Sequence, residues 1–199
     1  MAHAPHPEAL FHVEQISTAL APMTAEAFAE EVGVSRETMA RLERFDATLL
    51  AWSERMNLVA RSTLPDRWRR HYLDSAQLLP LIPPDARTLV DLGSGAGFPG
   101  LVLAALTADR GLKVFLIESI GKKAAFLAEA AAAMGLESVV VLAQRIESVD
   151  LEPPDVVTAR ALAPLPALLG YAEPLVAART LCLFSRGQDV ENELTEATQ

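Results

Sequence analysis

The chain has 199 residues, 51% of them hydrophobic and 22% charged, a composition that predicts a folded domain with a sizeable core and excludes global disorder. Its formal net charge of −9 argues against binding nucleic acid through overall charge, because neutralising phosphates requires clustered lysine and arginine. The single cysteine, Cys182, excludes an intrachain disulfide and is expected to be a small buried strand residue, and the absence of signal-peptide or membrane-span patterns predicts a cytoplasmic protein.

Residues 1–84 are predicted to form an N-terminal helical region. A first helix is expected from Thr24 to Val34, and Ser35 is a good N-cap for a longer helix that follows. The longer segment has an apolar residue at every third or fourth position, which is the spacing of one buried helix face: Leu42, Phe45, Leu49, Trp52 and Met56. A further helix is expected over Leu64–Leu79.

Residues 85–199 are predicted to form an α/β domain. Short runs of Val, Leu and Ile alternate there with helical segments, and five of these runs are predicted to be strands: TLVDL, KVFLIES, SVVVLAQ, DVVTARA and TLCLFSR. Apolar runs without alternation are typical of strands buried on both faces, as in a parallel sheet. The series therefore predicts a doubly wound α/β sheet with right-handed crossovers.

A glycine-rich loop, DLGSGAGFPG, follows the first predicted strand at the end where open α/β sheets bind ligands. Gly95-x-Gly97-x-x-Gly100 fits the dinucleotide fingerprint, whereas Asp91-x-Gly93-x-Gly95-x-Gly97 fits loops that hold S-adenosylmethionine. Asp91 favours the second cofactor, because a carboxylate suits a cationic methionine end and repels a pyrophosphate. The long helical segment ahead of the loop also favours S-adenosylmethionine, since dinucleotide folds usually begin near a domain N-terminus.

Other candidate site residues lie at the ends of the remaining strands. Glu118 ends the second strand, where an acid can accept hydrogen bonds from two ribose hydroxyls in either cofactor class. Ile146 and Glu147 follow the third strand, where the adenine ring is expected. Arg160 ends the fourth strand, and Arg186 ends the fifth and reaches the same rim. An arginine at the end of a buried strand must face the crevice or find a partner, which makes Arg160 a functional candidate.

Basic residues cluster in the segment RSTLPDRWRRHYLDS, ahead of the sheet. Its cationic or titratable members are Arg61, Arg67, Arg69, Arg70 and His71. They indicate either contact with nucleic-acid phosphates or a solvated helix face, whereas Trp68 is predicted to lie in the core. His71 and Asp74, three residues apart, are expected to pair. Lys122 and Lys123 open a helix, where cations oppose the dipole, so they indicate either a nearby ligand or a plain solvated pair.

Taken together, these motifs resemble the ribosomal RNA small-subunit methyltransferase G family, also called glucose-inhibited division protein B. The stretches that carry the resemblance, in the order of the family, are WSERMNLVARST, RRHYLDSAQL, DLGSGAGFPGLVLA, LIESIGKKAAFL, AQRIE and TARALAPL. They cover the chain from about residue 35 to its C-terminus. Phe98-Pro99 after the loop glycines and the RHxxDS-like stretch make the resemblance more specific than a match to methyltransferases in general.

The resemblance implies a Rossmann-like class I methyltransferase with an N-terminal helical extension, which transfers the S-adenosylmethionine methyl group to N7 of a guanine in 16S rRNA. The family's cofactor contacts correspond to Gly93, Phe98, Ile146, Glu147 and Arg160, with Glu118 as a ribose partner. The family's conserved basic and polar residues correspond to Asn57, Arg70, His71, Asp74 and Ser75. The candidate RNA contacts are Asn57, Arg69, Arg70, His71, Lys122 and Lys123.

No general base is required for this reaction, because guanine N7 has a lone pair and no proton to lose. Arg160, His71 and Arg186 are therefore candidates for positioning, and no metal is expected. The expected partners are 16S rRNA and the small ribosomal subunit, with the chain acting as a monomer. Two alternatives stay open: a non-catalytic S-adenosylmethionine- or ribosome-binding protein of the same fold, and an NAD-dependent oxidoreductase.

Two features depart from the family pattern. Ser185-Arg186-Gly187 stands where the family usually has Leu-Lys-Gly, and a guanidinium is not equivalent to an ammonium. The sequence ends at Gln199 with five strands predicted, so the terminal antiparallel strand pair usual in such sheets is expected to be missing.

Overall fold

The computed structural model of the protein describes residues 21–185, in which helical segments precede a five-stranded parallel sheet. The first two helices are α1 (Ala25–Val32) and α2 (Arg36–Ser53). The predicted N-cap of α2 is confirmed, because the Ser35 hydroxyl accepts a hydrogen bond from the Thr38 N–H over 3.1 Å. Gly33, in the left-handed conformation at φ +71°, ends α1.

The predicted apolar face of α2 is buried along most of its length. Leu42, Phe45 and Leu49 are fully buried, and Trp52 is half-buried against the core. Met56, the last residue of the predicted face, lies beyond the end of the helix at Ser53. The face therefore ends one turn earlier than the sequence spacing indicates.

The segment between α2 and the sheet differs from the single helix expected over Leu64–Leu79. Its elements are a 3₁₀ turn at Arg61–Asp66, a π-helix at Trp68–Leu73, a short helix α3 at Asp74–Ala76 and a 3₁₀ turn at Leu79–Leu81. Prolines without an N–H lie inside both 3₁₀ turns, which explains why no continuous α-helix forms. The wider π turns leave the three consecutive residues from His71 to Leu73 buried.

Aromatic rings fill the space between the helical segments. Trp68 is 5% exposed and stacks on Tyr72 with ring centroids 4.1 Å apart, which confirms its predicted place in the core. Tyr72 also contacts Phe45 edge-on, at a centroid distance of 5.5 Å. These contacts attach the π-helix to α2, so the residues that follow Trp68 in sequence have fixed positions.

The predicted doubly wound parallel sheet is confirmed. Its strands, in the spatial order β3-β2-β1-β4-β5, are β1 (Thr88–Leu92), β2 (Lys113–Ile117), β3 (Val139–Leu142), β4 (Val156–Arg160) and β5 (Leu181–Ser185). All four pairings are parallel. The helices between them are α4 (Gly100–Leu106), α5 (Gly121–Met134) and α6 (Leu165–Ala172), with 3₁₀ turns at Ala108–Arg110, Ile146–Ser148 and Glu173–Leu175.

The strand order reverses next to β1, because the chain passes from β1 to β2 and β3 on one side and returns to β4 on the other. A crevice forms at such a reversal, outside the carboxyl ends of the strands, and open α/β sheets bind ligands there. The loops after β1 and β4 border this crevice directly. The fold therefore brings the glycine-rich loop close to the residues that follow Arg160.

Burial falls from the centre of the sheet to its sides. The central strands β1 and β4 are almost fully buried, whereas β3 and β5 are half-buried. The expectation that Cys182 is buried is wrong, since its side chain is exposed on β5, which pairs only with β4 within residues 21–185. No helix in this part of the chain is both long and apolar enough to cross a membrane.

Candidate functional site

Three cavities open at the carboxyl end of the sheet, and all three are lined by Ala161, the first residue after β4. The loop cavity, about 360 Å³, is lined by residues that include Gly93, Gly95, Glu118, Ile146 and Glu147. The arginine cavity, about 800 Å³, is lined by residues that include Arg70, His71, Asp74, Arg160 and Ser185. The bridging cavity, about 320 Å³, is lined by residues that include Val59, His71, Gly95, Phe98 and Arg160.

The loop cavity brings together most of the residues predicted to contact a cofactor. Its wall is formed by the glycine loop after β1, the end of β2, and the 3₁₀ turn that contains Ile146 and Glu147. Gly93 has a φ of +61°, and a Cβ there would lie 2.4 Å from Cδ1 of Leu162. A side chain at this position would therefore adopt a strained backbone conformation and would have to displace the Leu162 side chain.

Glu118 ties the glycine loop to the start of α5. It is 5% exposed, and its two carboxylate oxygens accept hydrogen bonds from the Gly95 N–H over 2.9 Å and from the Ile120 N–H over 2.7 Å. Each carboxylate oxygen has a second lone pair, so the group can also accept hydrogen bonds from a ligand in the loop cavity. Ile146 offers an apolar contact at the same cavity, and Glu147 is paired with Arg145 over 2.6 Å.

Asp91, which the sequence predicts to contact the cofactor, lies beneath the loop and lines none of the three cavities. Its side chain is fully buried, and its Oδ1 accepts a hydrogen bond from the Thr158 hydroxyl over 2.8 Å. Burial raises the pKa of Asp91 to about 6, and its Oδ2 has no hydrogen-bond partner in the described part of the chain. A Cβ at Gly100 would lie 2.8 Å from that oxygen, so Asp91 fixes the approach of α4 to β1.

Phe98 lines the bridging cavity and also packs against two side chains of the site. It is 4% exposed, and its ring stacks on His71 at a centroid distance of 5.1 Å. The Arg160 guanidinium carbon lies over the same ring, 5.0 Å from its centroid. Gly97, predicted to belong to the cofactor loop, packs against Leu101 and lines none of the three cavities.

His71 is held by two hydrogen bonds and does not pair with Asp74, contrary to the sequence expectation. Its Nε2 lies 2.8 Å from the Thr63 hydroxyl, and its Nδ1 lies 3.0 Å from Nη1 of Arg160. Burial, followed by the positive charges of Arg160 and Arg70, lowers the pKa of His71 to about 4. The imidazole is therefore neutral at physiological pH.

Arg160 reaches the crevice as the sequence predicts, and it lines both the arginine and the bridging cavities. Burial lowers its pKa, while the carboxylates of Asp74 and Asp91 act in the opposite direction. The guanidinium stays charged, because its ordinary pKa is far above neutrality. Ser75, matched by the family pattern, is buried and donates a hydrogen bond to the His71 carbonyl over 2.6 Å.

The cluster of basic residues divides into structural and accessible members. Arg67 binds both oxygens of Asp46, over 2.6 and 2.7 Å, and Arg69 lies 3.6 Å from Asp66. Arg61 and Arg70 are exposed, and of these two only Arg70 lines the arginine cavity. Arg67 and Arg69 are therefore half-buried and held in ion pairs rather than on a solvated face, and contact of Arg61 or Arg70 with phosphates stays a prediction.

The remaining predicted site residues have varied positions. Lys123 lines the loop and bridging cavities, whereas Lys122 and Asn57 are exposed and line none of the three. Arg186 and Gly187 lie outside the described residues, although Ser185 reaches the arginine cavity.

The sequence reasoning missed Thr63 and the segment directly after Arg160. Ala161 has a φ of +51°, which is unusual for a residue with a Cβ. Leu162 lies over Gly93 and lines the loop and arginine cavities. The only signal for this segment is its position at the carboxyl end of β4, where sheets of this class bind ligands.

Comparison with known proteins matches this chain to one family. The model of the GidB family, described as rRNA small subunit methyltransferase G, matches residues 38–199. The Ribosomal RNA small subunit methyltransferase G of Rhodospirillum rubrum is 53% identical over 175 residues, which are 88% of this chain and 85% of the relative. The protein of the same name from Bradyrhizobium sp. is 55% identical over 169 residues, 83% of this chain and 76% of the relative.

Among solved structures, a SAM dependent methyltransferase from Aquifex aeolicus has a similar fold. It superposes with a TM-score of 0.52 at 18% sequence identity, covering 67% of this chain and 82% of that chain. At this level of identity the similarity concerns the fold alone.

Proposed function

Because this chain belongs to the rRNA small subunit methyltransferase G family, we propose that it transfers a methyl group from S-adenosylmethionine to N7 of a guanine in the 16S rRNA of the small ribosomal subunit. The observation that carries the proposal is the family match over residues 38–199, which includes the glycine loop and Arg160. The sheet order and the crevice next to β1 support it independently, because ligands bind there in this fold class.

The residues of the loop cavity fit this cofactor. Its volume of about 360 Å³ lies in the range of small-molecule sites. The Glu118 carboxylate offers acceptors for ribose hydroxyls, Ile146 offers an apolar surface for adenine, and Glu147 offers an acceptor beside it. When bound, S-adenosylmethionine supplies a methyl group on a positively charged sulfur, and the products are S-adenosylhomocysteine and a positively charged N7-methylguanine.

The residues of the crevice align the reactants and do not move protons. N7 of guanine attacks with its lone pair and releases no proton, so no side chain has to act as a base. The low pKa of His71 and the two hydrogen bonds of its ring agree with this, because they leave it no proton-transfer role. We assign to His71 the task of orienting Arg160, and to Arg160 that of positioning the substrate beside the loop cavity.

Substrate binding is assigned to the arginine cavity, which shares Ala161, Leu162 and Ala163 with the loop cavity. A base bound there lies next to the cofactor, as a direct transfer requires. Arg70 and Arg160 supply positive charge at this edge, although the chain as a whole carries a net charge of −9. Local charge therefore makes contact with RNA phosphates feasible for an acidic protein.

The decisive experiment combines the purified chain, tritiated S-adenosylmethionine and small subunits from a strain that lacks the corresponding gene. We expect about one methyl group per subunit, mapped to a guanine by cleavage chemistry specific for N7-methylguanine. Glu118→Gln should reduce the labelling, because it removes one carboxylate oxygen from the loop cavity. Absence of labelling by the wild-type chain would overturn the proposal, and binding of S-adenosylhomocysteine without turnover would favour the non-catalytic alternative.

A further inference from the structure

The arginine cavity contains one carboxylate, that of Asp74, among the residues that line it in the described part of the chain. Asp74 begins α3 and is accessible to solvent, and its carboxylate, which feels the charges of Arg160 and Arg70, makes no hydrogen bond or ion pair within residues 21–185. A carboxylate has two oxygens that can only accept hydrogen bonds when ionised. The cavity thus presents an unused pair of acceptors beside the site assigned to the methyl donor.

The other charged or titratable groups of this wall are donors or are already engaged, and Gln77 and Ser185 add neutral groups that can both donate and accept. Both ring nitrogens of His71 have partners, and Arg160 donates to one of them. Arg70 and Arg160 have no acceptor atoms in their side chains. Asp74 is therefore the charged group of this wall that is suited to bind N–H groups of a ligand.

On the basis of the proposed function, we infer that Asp74 selects the target base by accepting hydrogen bonds from N1–H and N2–H of guanine. Adenine also has a lone pair at N7, so the methylation chemistry by itself does not distinguish the two purines. Their Watson–Crick edges do, because guanine presents two adjacent donors where adenine presents an acceptor at N1. A base that has left its helix is commonly read at this edge.

The same contact assists the reaction. Transfer of the methyl group places a positive charge on the guanine ring, and a carboxylate bound at N1–H interacts more strongly with the charged ring than with the neutral one. An interaction that strengthens in the transition state raises kcat and not only binding. Burial raises the pKa of the Asp74 carboxyl, whereas the positive charges of Arg160 and Arg70 lower it and so favour the charged carboxylate.

The charged groups around Asp74 can make two kinds of contact with the base. Arg160 and Arg70 border the same cavity and can donate to guanine O6 or to a phosphate, whereas the carboxylate of Asp74 accepts from N1–H and N2–H, which lie next to O6 on the Watson–Crick edge. In this arrangement N7 remains free to face the loop cavity, which adjoins the arginine cavity at Ala161. Guanine is the base whose donors and acceptors match this pattern.

The test uses reconstituted small subunits whose 16S rRNA carries guanine, inosine or adenine at the target position, introduced by ligation of a synthetic oligonucleotide. Inosine keeps N7, O6 and N1–H but lacks the N2 amino group. The variant is Asp74→Asn, in which an amide keeps one acceptor and has a donor in place of the other. The control is Asp85→Asn, an exposed aspartate ahead of β1 at the opposite end of the sheet.

We expect wild type and Asp85→Asn to prefer guanine over inosine by roughly 10- to 150-fold in kcat/KM, the effect of losing a hydrogen bond to a charged group. Asp74→Asn should lower kcat on guanine by a similar factor and reduce the guanine-to-inosine ratio to about one to threefold. It should also increase the relative rate on adenine, because an amide complements N1 and N6 of that base. The Kd for S-adenosylhomocysteine, from calorimetry, and the Tm should not change.

The outcomes separate this inference from the function on which it rests. If wild type labels no guanine-containing subunits, the proposed function fails. If wild type labels them and Asp74→Asn retains the full preference for guanine over inosine, the inference about Asp74 is wrong. The same holds if Asp74→Asn weakens S-adenosylhomocysteine binding as much as it weakens methylation, because Asp74 then acts on the cofactor and not on the base.

Discussion

Arg160 and His71 form a hydrogen bond whose direction is fixed by chemistry: Nη1 of Arg160 lies 3.0 Å from Nδ1 of His71, and a guanidinium can only donate. Nδ1 is therefore the acceptor, and the single proton of the neutral imidazole is on Nε2. That proton is donated to the Thr63 hydroxyl over 2.8 Å, and Thr63 in turn donates to the Ala60 carbonyl over 2.6 Å. A chain of three hydrogen bonds thus determines the direction of the Arg160 guanidinium.

The first prediction concerns Thr63, which acts on the reaction only through His71 and Arg160. Thr63→Val removes the acceptor for Nε2–H, so the imidazole loses one of the two hydrogen bonds that orient it and Arg160 is held less firmly. We expect kcat for methylation to fall about five- to tenfold, the effect of one hydrogen bond, with an unchanged Kd for S-adenosylhomocysteine. Steady-state kinetics and calorimetry measure the two quantities.

Two further variants test whether this effect is specific. Thr63→Ser should restore kcat, because it keeps the hydroxyl. Thr48→Val should leave kcat unchanged, since the Thr48 hydroxyl also bonds a backbone carbonyl but lies on α2 away from the cavities. Equal losses in Thr63→Val and Thr63→Ser would mean that the hydrogen bond to His71 is not the cause.

The second prediction is that His71 and Asp91 make stability depend on pH in opposite directions. The pKa of His71 is about 4 in the folded chain, below its ordinary value of 6.5, so its contribution is present above pH 6.5 and is lost as the pH falls through 4. The pKa of Asp91 is about 6, above its ordinary 3.8, so its contribution is present below pH 3.8 and is lost as the pH rises through 6. Each amounts to about 3 kcal/mol, and the two largely cancel between pH 4 and 6.

Asp91→Asn should expose this cancellation. As the pH is lowered from 6 to 4, the free energy of unfolding of the variant should fall by about 3 kcal/mol more than that of wild type. In wild type the gain from protonating Asp91 offsets the loss from protonating His71, whereas the variant has only the loss from His71. Urea unfolding followed by circular dichroism at several pH values measures this free energy. The contributions of the other carboxylates are the same in both proteins and therefore cancel in the difference between variant and wild type. His71→Gln should show the opposite trend. Parallel pH curves for wild type and Asp91→Asn would contradict the assignment.

The sequence predicts features that depend on local pattern. Apolar runs interrupted by Gly and Pro identify all five strands, and the position of Glu118 at a strand end predicts its place in the loop cavity. Arg160 is found for the same reason. Once the strands are known to be parallel, every strand end lies at one edge of the sheet, so the candidate site follows from the fold class.

The features that the sequence does not predict depend on packing between distant segments. The π-helix at Trp68–Leu73 requires the ring contacts of Tyr72 with Phe45, which is on another helix. The bonds of His71 to Thr63 and Arg160 follow from that irregular backbone, and helical spacing points to Asp74 instead. The exposure of Cys182 also cannot be predicted from the sequence, because the same kind of apolar run occurs in a central strand and in β5.

The third prediction compares two glycines that each begin a helix. A Cβ at Gly100 would lie 2.4 Å from Cδ2 of Leu116 and 2.8 Å from Oδ2 of Asp91, whereas a Cβ at Gly121 would have nothing within 4 Å. Gly100→Ala must displace the side chains of Leu116 and Asp91 or shift α4, and it should lower the free energy of unfolding by about 1–3 kcal/mol. Gly121→Ala should raise it by about 0.4–1 kcal/mol, because alanine restricts the unfolded chain. Urea unfolding of both variants at one pH measures the difference, and equal stabilities would contradict the packing of α4 on Asp91.

The fourth prediction separates Arg67 from Arg70, three residues apart in the same basic segment. Arg67 bonds both oxygens of Asp46, and the side chains of the pair are only 22% and 11% exposed. Arg67→Ala leaves the Asp46 carboxylate with the Tyr72 hydroxyl, 3.3 Å away, as its hydrogen-bond partner, so we expect a loss of about 3 kcal/mol in the free energy of unfolding. Chemical denaturation measures this loss.

Arg70→Ala should have the converse effect. The side chain is exposed, so the free energy of unfolding should change by less than about 0.5 kcal/mol. The KM for small subunits should rise, and the slope of log KM against log salt concentration should decrease by about one, because one phosphate contact is lost. Both quantities come from methylation assays between 50 and 200 mM salt, a range over which phosphate contacts lose much of their affinity. A KM and salt slope equal to those of wild type would exclude Arg70 from RNA binding and would leave Arg160 as the cation of the arginine cavity that meets the substrate.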